Sequence, residues 1–297
     1  MKKRNYLLSI AFCALLVVAA AALAGCNKRS FDAAKPITVV AREDGSGTKT
    51  AFMEIIGLKG KADPSGTVIM AGTAGVLAEV DGNLYSIAYE SLGYVTDSVK
   101  KLKVDGVEAT IANIKNGTYK IARPLSIVYK DASIASGANL AFYTFLESAD
   151  AQDIISTGGY VSIKDGAPAY ASENPSGLSG AVDISGSTSL QPLMIKLAEK
   201  FEDIHKNVTV RVTGGGSGTG YQNAENGTSN FGMISEEFNQ TKAPSCVIMT
   251  VAKDGIAVIV HKNNTFDNIT LAQLKNIYDA DQDASAKIKV WNDLNQA

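Results

Sequence analysis

Ala41-Arg42-Glu43-Asp44-Gly45-Ser46-Gly47-Thr48 follows the β-branched run Ile37-Thr38-Val39-Val40 and leads into a helical pattern that ends near Ile56. A strand, a glycine turn and a helix in this order form the basic unit of an α/β fold. The unit recurs twice downstream. Val182-Asp183-Ile184 runs into Ser185-Gly186-Ser187-Thr188-Ser189 and a helix carrying Leu193, Leu197, Ala198 and Phe201 at spacings of three and four. Val208 to Val212 runs into Gly214-Gly215-Gly216-Ser217-Gly218-Thr219-Gly220 and a polar helix ending near Asn226.

Such junctions suit an oxyanion. Glycine lets the backbone approach a ligand with no Cβ in the way. The following helix offers unpaired N–H groups and the positive end of its dipole. Ser and Thr hydroxyls there either cap the helix or donate to a ligand oxygen. One junction alone reads as ordinary capping; three, two of them sharing Gly-Ser-Gly-Thr, point to a common site. No Gly-Lys-Ser/Thr closes a Walker pattern, and Gly214 to Gly220 lacks the dinucleotide spacing. Arg42 adds a bidentate fork. Asp44, two residues on, is expected to orient that fork or to accept the proton of a monoprotonated oxyanion such as hydrogen phosphate. A surface Arg–Asp pair is the plainer alternative.

These stretches resemble the phosphate-binding proteins of ABC-type phosphate importers, the PstS type. Weaker matches are Asp254-Gly255-Ile256-Ala257-Val258-Ile259-Val260 and Tyr119-Lys120-Ile121-Ala122-Arg123-Pro124-Leu125. The resemblance spans nearly all of residues 36–297 and implies a two-lobed type II periplasmic-binding-protein fold. Each lobe would be a mixed sheet flanked by helices, with the ligand in the cleft between them. Carried over by position, it implies phosphate contacts from Thr188, Ser217, Arg42, Asp44, Ser46, Gly47 and Thr48, with Ser187 and Gly218 as neighbouring backbone donors.

The order of the segments departs from the family. The Arg-Glu-Asp-Gly-Ser-Gly-Thr half, mid-chain in the family, comes first here, as in a circular permutation with its new join at residues 164–180. One piece of a tandem or rearranged gene would look the same. The expected division is residues 36–97 plus 251–297 as lobe two and 98–250 as lobe one, with phosphate bridging them and favouring closure. Glu236, in Phe231-Gly232-Met233-Ile234-Ser235-Glu236-Glu237, stands where the family usually has Arg or Asp after Ser. It either accepts the ligand's proton or weakens the site.

The N-terminus reads as an address. Lys2, Lys3 and Arg4 precede an apolar run from Leu7 to Leu23, ending in Leu23-Ala24-Gly25-Cys26. This resembles a lipoprotein signal: residues 1–25 removed, Cys26 acylated, 26–35 a tether. A retained transmembrane helix is the alternative, for which the run is short. Cys246 is then the one thiol left, a small hydrophobe at a strand start. Two histidines, His205 and His261, with no ligand pattern around them argue against a metal site and a His-dependent triad. The chain has 28 Lys+Arg against 30 Asp+Glu, and its net charge of −2 becomes −5 without residues 1–25. Such a balance argues against a nucleic-acid partner.

The reading is therefore a monomeric, lipid-anchored binding protein outside the cytoplasmic membrane, at a Gram-positive surface rather than in a periplasm. It would need no cofactor, catalyse nothing, and hand inorganic phosphate to an ABC permease. An oxyanion-dependent sensor or surface module with the same fold is the alternative. Tyr85, Tyr89 and Tyr94 are expected in core or cleft wall, and Trp291 near the edge of lobe two.

Overall fold

The computed structural model describes residues 30–170, 177–282 and 287–295. Residues 33–297 form one compact unit; residues 1–32 form a second, of which only 30–32 are described. The signal and residues 26–29 of the tether, Cys26 among them, therefore lie outside the described residues. In chain order the elements begin with β1 (Thr38–Arg42), α1 (Gly47–Ile55), β2 (Val68–Met70), α2 (Gly72–Gly82) and β3 (Ser86–Ser91). Next come β4 (Val99–Lys101), β5 (Lys103–Val104), α3 (Ile111–Lys115), β6 (Ala122–Tyr129), α4 (Gly137–Leu146) and α5 (Ala149–Thr157). A second run follows: β7 (Ser179–Gly186), α6 (Gln191–Ile204), β8 (Asn207–Gly214), α7 (Ser217–Asn226) and β9 (Phe231–Ile234). The long β10 (Val247–His261), β11 (Asn268–Ile269) and α8 (Leu271–Tyr278) close the chain.

Nine of the described strands join in one mixed sheet of order β2-β1-β3-β10-β6-β9-β7-β8, with β4 also on β10, and β5 and β11 form a separate two-stranded sheet. The large sheet contains the same motif twice. β1 pairs in parallel with β2 and β3, and β7 pairs in parallel with β8 and β9. Each βαβαβ run thus places its first strand between its second and third. In such sheets ligands bind beyond the carboxyl ends of the parallel strands, and here those ends belong to β1, β2, β3, β7, β8 and β9.

β10 joins the two halves. Residues 247–255 pair with β6 and residues 256–260 with β3, both antiparallel. The chain changes halves at the start of β6 and again near Gly255. The division expected at residue 97/98 does not coincide with either change. β4 pairs with residues 259–261 and β5 with β11, so residues 99–104 go with the first half.

Burial follows the sequence pattern. On α6, Leu193, Met194, Leu197, Ala198 and Phe201 are buried, the face that their spacing predicts. Each large apolar side chain there contributes roughly 1.5–3 kcal/mol of burial. Phe142, Phe145, Phe201 and Phe231 fill the core of the second half. In the first half Phe52 stacks on Tyr89 at 3.9 Å and Tyr278 meets both edge-on. The Tyr89 hydroxyl accepts from the Arg42 N–H at 3.3 Å, so this aromatic group fixes the end of β1. Trp291, expected near an edge, is fully buried beside Phe266 and donates from Nε1 to the Tyr85 carbonyl. Cys246 is buried immediately before β10, as read. Of the expected join 164–180, residues 171–176 lie outside the described residues. Tyr170 is tied by its N–H to Asp150 and by its hydroxyl to His205, and Ser179 already belongs to β7. No helix among the described residues is long and apolar enough to cross a membrane.

Candidate functional site: an oxyanion cluster at the strand ends

Arg42 ends β1 with its side chain only 1 % exposed. Its guanidinium donates from Nε and Nη2 to the two carboxylate oxygens of Glu43, at 2.9 and 3.0 Å. Nη1 reaches Glu90 Oε2 and Thr73 Oγ1, both at 3.3 Å, and Nη2 donates to Thr188 Oγ1 at 2.9 Å. Burial works against the charge of Arg42, but the Glu43 hydrogen bonds and the nearby Glu90 outweigh it and hold its pKa above the ordinary value. The same pairing, against burial, holds the Glu43 carboxyl below its ordinary value. Glu43 also accepts from the Gly72 N–H at the start of α2, at 3.1 Å.

The carboxylate on the fork is therefore Glu43, not Asp44. Ser46 N donates to the Glu43 carbonyl, closing a tight turn with Gly45 at φ +85°. Asp44 occupies the outer corner of that turn, with its side chain 99 % exposed and paired with Lys49 at 2.7 Å. A turn that needs positive φ at its third residue turns the second outward, whereas Glu43 lies inside with reach to spare.

Around Arg42 the hydroxyls meet in pairs. Thr73 Oγ1 and Thr188 Oγ1 are 3.2 Å apart, Thr48 Oγ1 and Ser189 Oγ 2.8 Å, and Ser217 Oγ and Ser235 Oγ 3.3 Å. In each pair either oxygen can donate, so each can rotate to donate to an anion instead. Gly47 has no side chain because the second half comes too close. A Cβ there would lie 2.3 Å from Ser217 Oγ and 2.8 Å from Ser235 Oγ. The two halves also touch through backbone, Gly218 N donating to the Gly45 carbonyl at 3.0 Å.

Of the residues singled out in the sequence, Arg42 meets Thr188, Thr48 meets Ser189, and Gly47 packs against Ser217. Ser46 and Ser187 lie at the same place with their hydroxyls committed to caps: Ser46 Oγ accepts from Lys49 N, and Ser187 Oγ from Ser189 N and Leu190 N. The backbone donors expected from Ser187 and Gly218 are spent on the Met233 and Gly45 carbonyls. Glu236 is buried, one oxygen 2.7 Å from Lys242 Nζ and the other, Oε2, without a partner. Lys242 also lies over the Tyr221 ring at 5.1 Å.

Glu43, Thr73, Glu90, Ser189 and Ser235 were not among the expected contacts. Thr73 had a signal: Val68-Ile69-Met70-Ala71-Gly72-Thr73 is a fourth strand-glycine-helix junction. Ser235 sits beside the suspected Glu236. Glu90, next to last in the wholly buried strand β3, had none.

A cavity of about 610 Å³ opens against Ser46, with Lys49, Lys59, Lys61 and Lys242 among its walls. No group of three or more His, Cys, Asp and Glu among the described residues could hold a metal ion. The Arg42 fork is thus fully engaged by Glu43, Glu90, Thr73 and Thr188, and the groups beside it that can turn to a new partner are neutral hydroxyls.

The model of the PBP superfamily domain matches residues 21–150 and 169–297. The phosphate-binding protein PstS 2 of Streptococcus agalactiae serotype V is 35% identical over 306 residues, covering 100% of both chains. The chain belongs to the PstS type of phosphate-binding protein. A crystal structure of a phosphate ABC transporter phosphate-binding protein from Streptococcus pneumoniae TIGR4 overlays with a TM-score of 0.68 at 33% identity, covering 88% of this chain and 100% of that one. PstS of Bacillus subtilis matches over 119 residues at 34% identity, 39% of this chain and 38% of that one. The streptococcal relative follows this chain's own order throughout. These relatives are named as binding proteins, in line with the expectation that the chain binds rather than catalyses.

Proposed function

We propose that this chain captures inorganic phosphate between the two halves of its sheet and delivers it to an ABC permease. The observation that carries the proposal is the Arg42–Thr188 hydrogen bond at 2.9 Å, which joins the strand ends of both halves at one guanidinium. In this reading the ligand takes the centre of the hydroxyl pairs. Arg42 supplies charge, Thr48, Thr188, Ser189, Ser217 and Ser235 turn their O–H groups inward, and α1 and α7 direct their N-termini at it. Glu236 Oε2, a buried acceptor with no donor, takes the proton of hydrogen phosphate, which sulfate lacks. Asp44 has no part in it.

Two lobes move on this site, with the division at Ala122 and Gly255, where the strands change partners. Phosphate favours the closed arrangement because only there do both sets of donors reach it. A lipid on Cys26 holds the monomeric protein to the outer face of a Gram-positive membrane.

The test is calorimetric titration of the purified chain in detergent, after unfolding and refolding to strip carried-over ligand. One-to-one phosphate binding with no sulfate binding is expected. A folded chain that ignores phosphate would refute the proposal.

A further inference from the structure

We infer that Arg123, held by Asp254 at the point where β10 changes partners, is a positioning residue for the anion site. The inference rests on the phosphate reading above and extends it to residues that touch no ligand. Arg123 and Asp254 face each other directly in the β6–β10 ladder, with side chains 1 % and 0 % exposed. Arg123 Nη2 donates to Asp254 Oδ2 at 3.3 Å, and Nη1 donates to the Ser235 carbonyl at 2.8 Å. Ser235 carries the hydroxyl that meets Ser217, and Glu236 follows it. The guanidinium therefore fixes the peptide on which two site residues are mounted.

The network continues to the other half. Ser91 Oγ donates to Asp254 Oδ2 at 2.7 Å, Ser91 N donates to Glu90 Oε1 at 2.8 Å, and Glu90 Oε2 accepts from Arg42 Nη1. Arg42 and Arg123, on strands of different halves, are thus tied through three residues that include the strand crossing. A buried ion pair is seldom more stabilising than a well-packed apolar pair of similar volume. This one is not optimised for stability either: Arg123 Nε and Asp254 Oδ1 are buried with no partner. What it supplies is direction. The planar fork fixes the Ser235 carbonyl relative to the crossing, so that the angle between halves and the position of Ser235 and Glu236 are set together.

The experiment compares four purified full-length chains by phosphate and sulfate titration and by thermal melting: wild type, Arg123→Lys, the charge-free pair Arg123→Met with Asp254→Leu, and Glu90→Gln. The paired variant leaves no buried charge alone, so it should fold and melt near the wild type. Its phosphate affinity should nevertheless fall about tenfold or more, and its preference for phosphate over sulfate should shrink, because Glu236 is no longer held. Lysine keeps the charge but not the fork, and should recover part of both properties. Glu90→Gln should weaken phosphate binding without changing that preference, since it acts on Arg42. A paired variant that folds and binds phosphate within about twofold of wild type, with the preference intact, overturns the inference. So does loss of folding in both Arg123 variants, which would make the pair purely structural. Wild type that binds no phosphate would instead bring down the phosphate reading, and this inference with it.

Discussion

Arg42 and Thr188, 146 positions apart, meet side chain to side chain: Nη2 donates to Oγ1 at 2.9 Å. Neither residue could make this contact within its own half of the sheet, since β1 and the loop after β7 are separated by β3, β10, β6 and β9. The contact therefore reports how the two halves face each other. Thr188→Val keeps shape and removes the hydroxyl. A hydrogen bond to a charged group contributes about 1.5–3 kcal/mol, so phosphate affinity should fall roughly ten- to a hundredfold. The melting temperature should fall as well, because the variant also removes the acceptor that Thr188 gives the buried Arg42 guanidinium. Titration and melting of the same sample check both.

Gly47 and Gly45 lie two residues apart and should respond differently to alanine. At Gly47 the new Cβ would lie 2.3 Å from Ser217 Oγ, so Gly47→Ala should prise the halves apart and abolish binding while secondary structure survives. At Gly45 nothing lies within 4 Å of the new Cβ, and the cost is backbone strain at φ +85°. Gly45→Ala should lower stability by about 1 kcal/mol and leave a folded, binding protein. Circular dichroism with phosphate titration separates the two.

The two carboxylates on Arg42, half-buried Glu43 and fully buried Glu90, give opposite pH dependences. Burial works to raise the Glu43 pKa, but Arg42 outweighs it and holds it below the ordinary value. A depressed folded pKa contributes stability that is present above about pH 4.3 and lost as the pH falls through the folded value. Glu43→Gln should therefore flatten the acid side of the stability curve. Burial raises the Glu90 pKa, Arg42 opposing it. The folded state then binds the proton more readily than the unfolded one, so this contribution grows as pH falls through the raised value. Glu90→Gln should make the chain more stable at neutral pH relative to wild type, and less so in acid. Urea melts between about pH 7 and about pH 3 test both signs.

The three glycine junctions were legible because each carries its own local signal, a β-branched run broken by Gly and Ser. Strand, turn and helix fell within a residue or two of where Ile37–Ile56 and Val208–Asn226 put them. The partner of Arg42 was not legible. Choosing Glu43 over Asp44 depends on the handedness of one turn, which a tetrapeptide with two acids in succession leaves open. Glu90, Arg123 and Asp254 were illegible for another reason. They lie in runs that read as buried strand, and their meeting depends on which strand pairs with which across more than a hundred residues. The single tryptophan was misplaced because proximity to a chain end says little about burial once residues 33–36 pair with residues 290–292.

Glu236 offers the sharpest discrimination test. Its Oε1 is held by Lys242 at 2.7 Å, and its Oε2 is buried with no donor. A carboxylate oxygen in that state is costly unless something donates to it, and a protonated phosphate oxygen can, whereas sulfate at neutral pH has no proton to offer. Glu236→Gln replaces an obligate acceptor with a group that can also donate. Phosphate affinity should fall about tenfold or more, and sulfate binding should become measurable because lone pairs no longer face lone pairs. Lys242→Met should act in a different way. It leaves Glu236 without its ion pair, so the chain should lose stability, by less than the roughly 3–5 kcal/mol of a fully buried pair because Lys242 is 40 % exposed. Phosphate should still be preferred over sulfate, since Oε2 remains. Equal phosphate affinity in Glu236→Gln and wild type would assign the carboxylate to Lys242 alone.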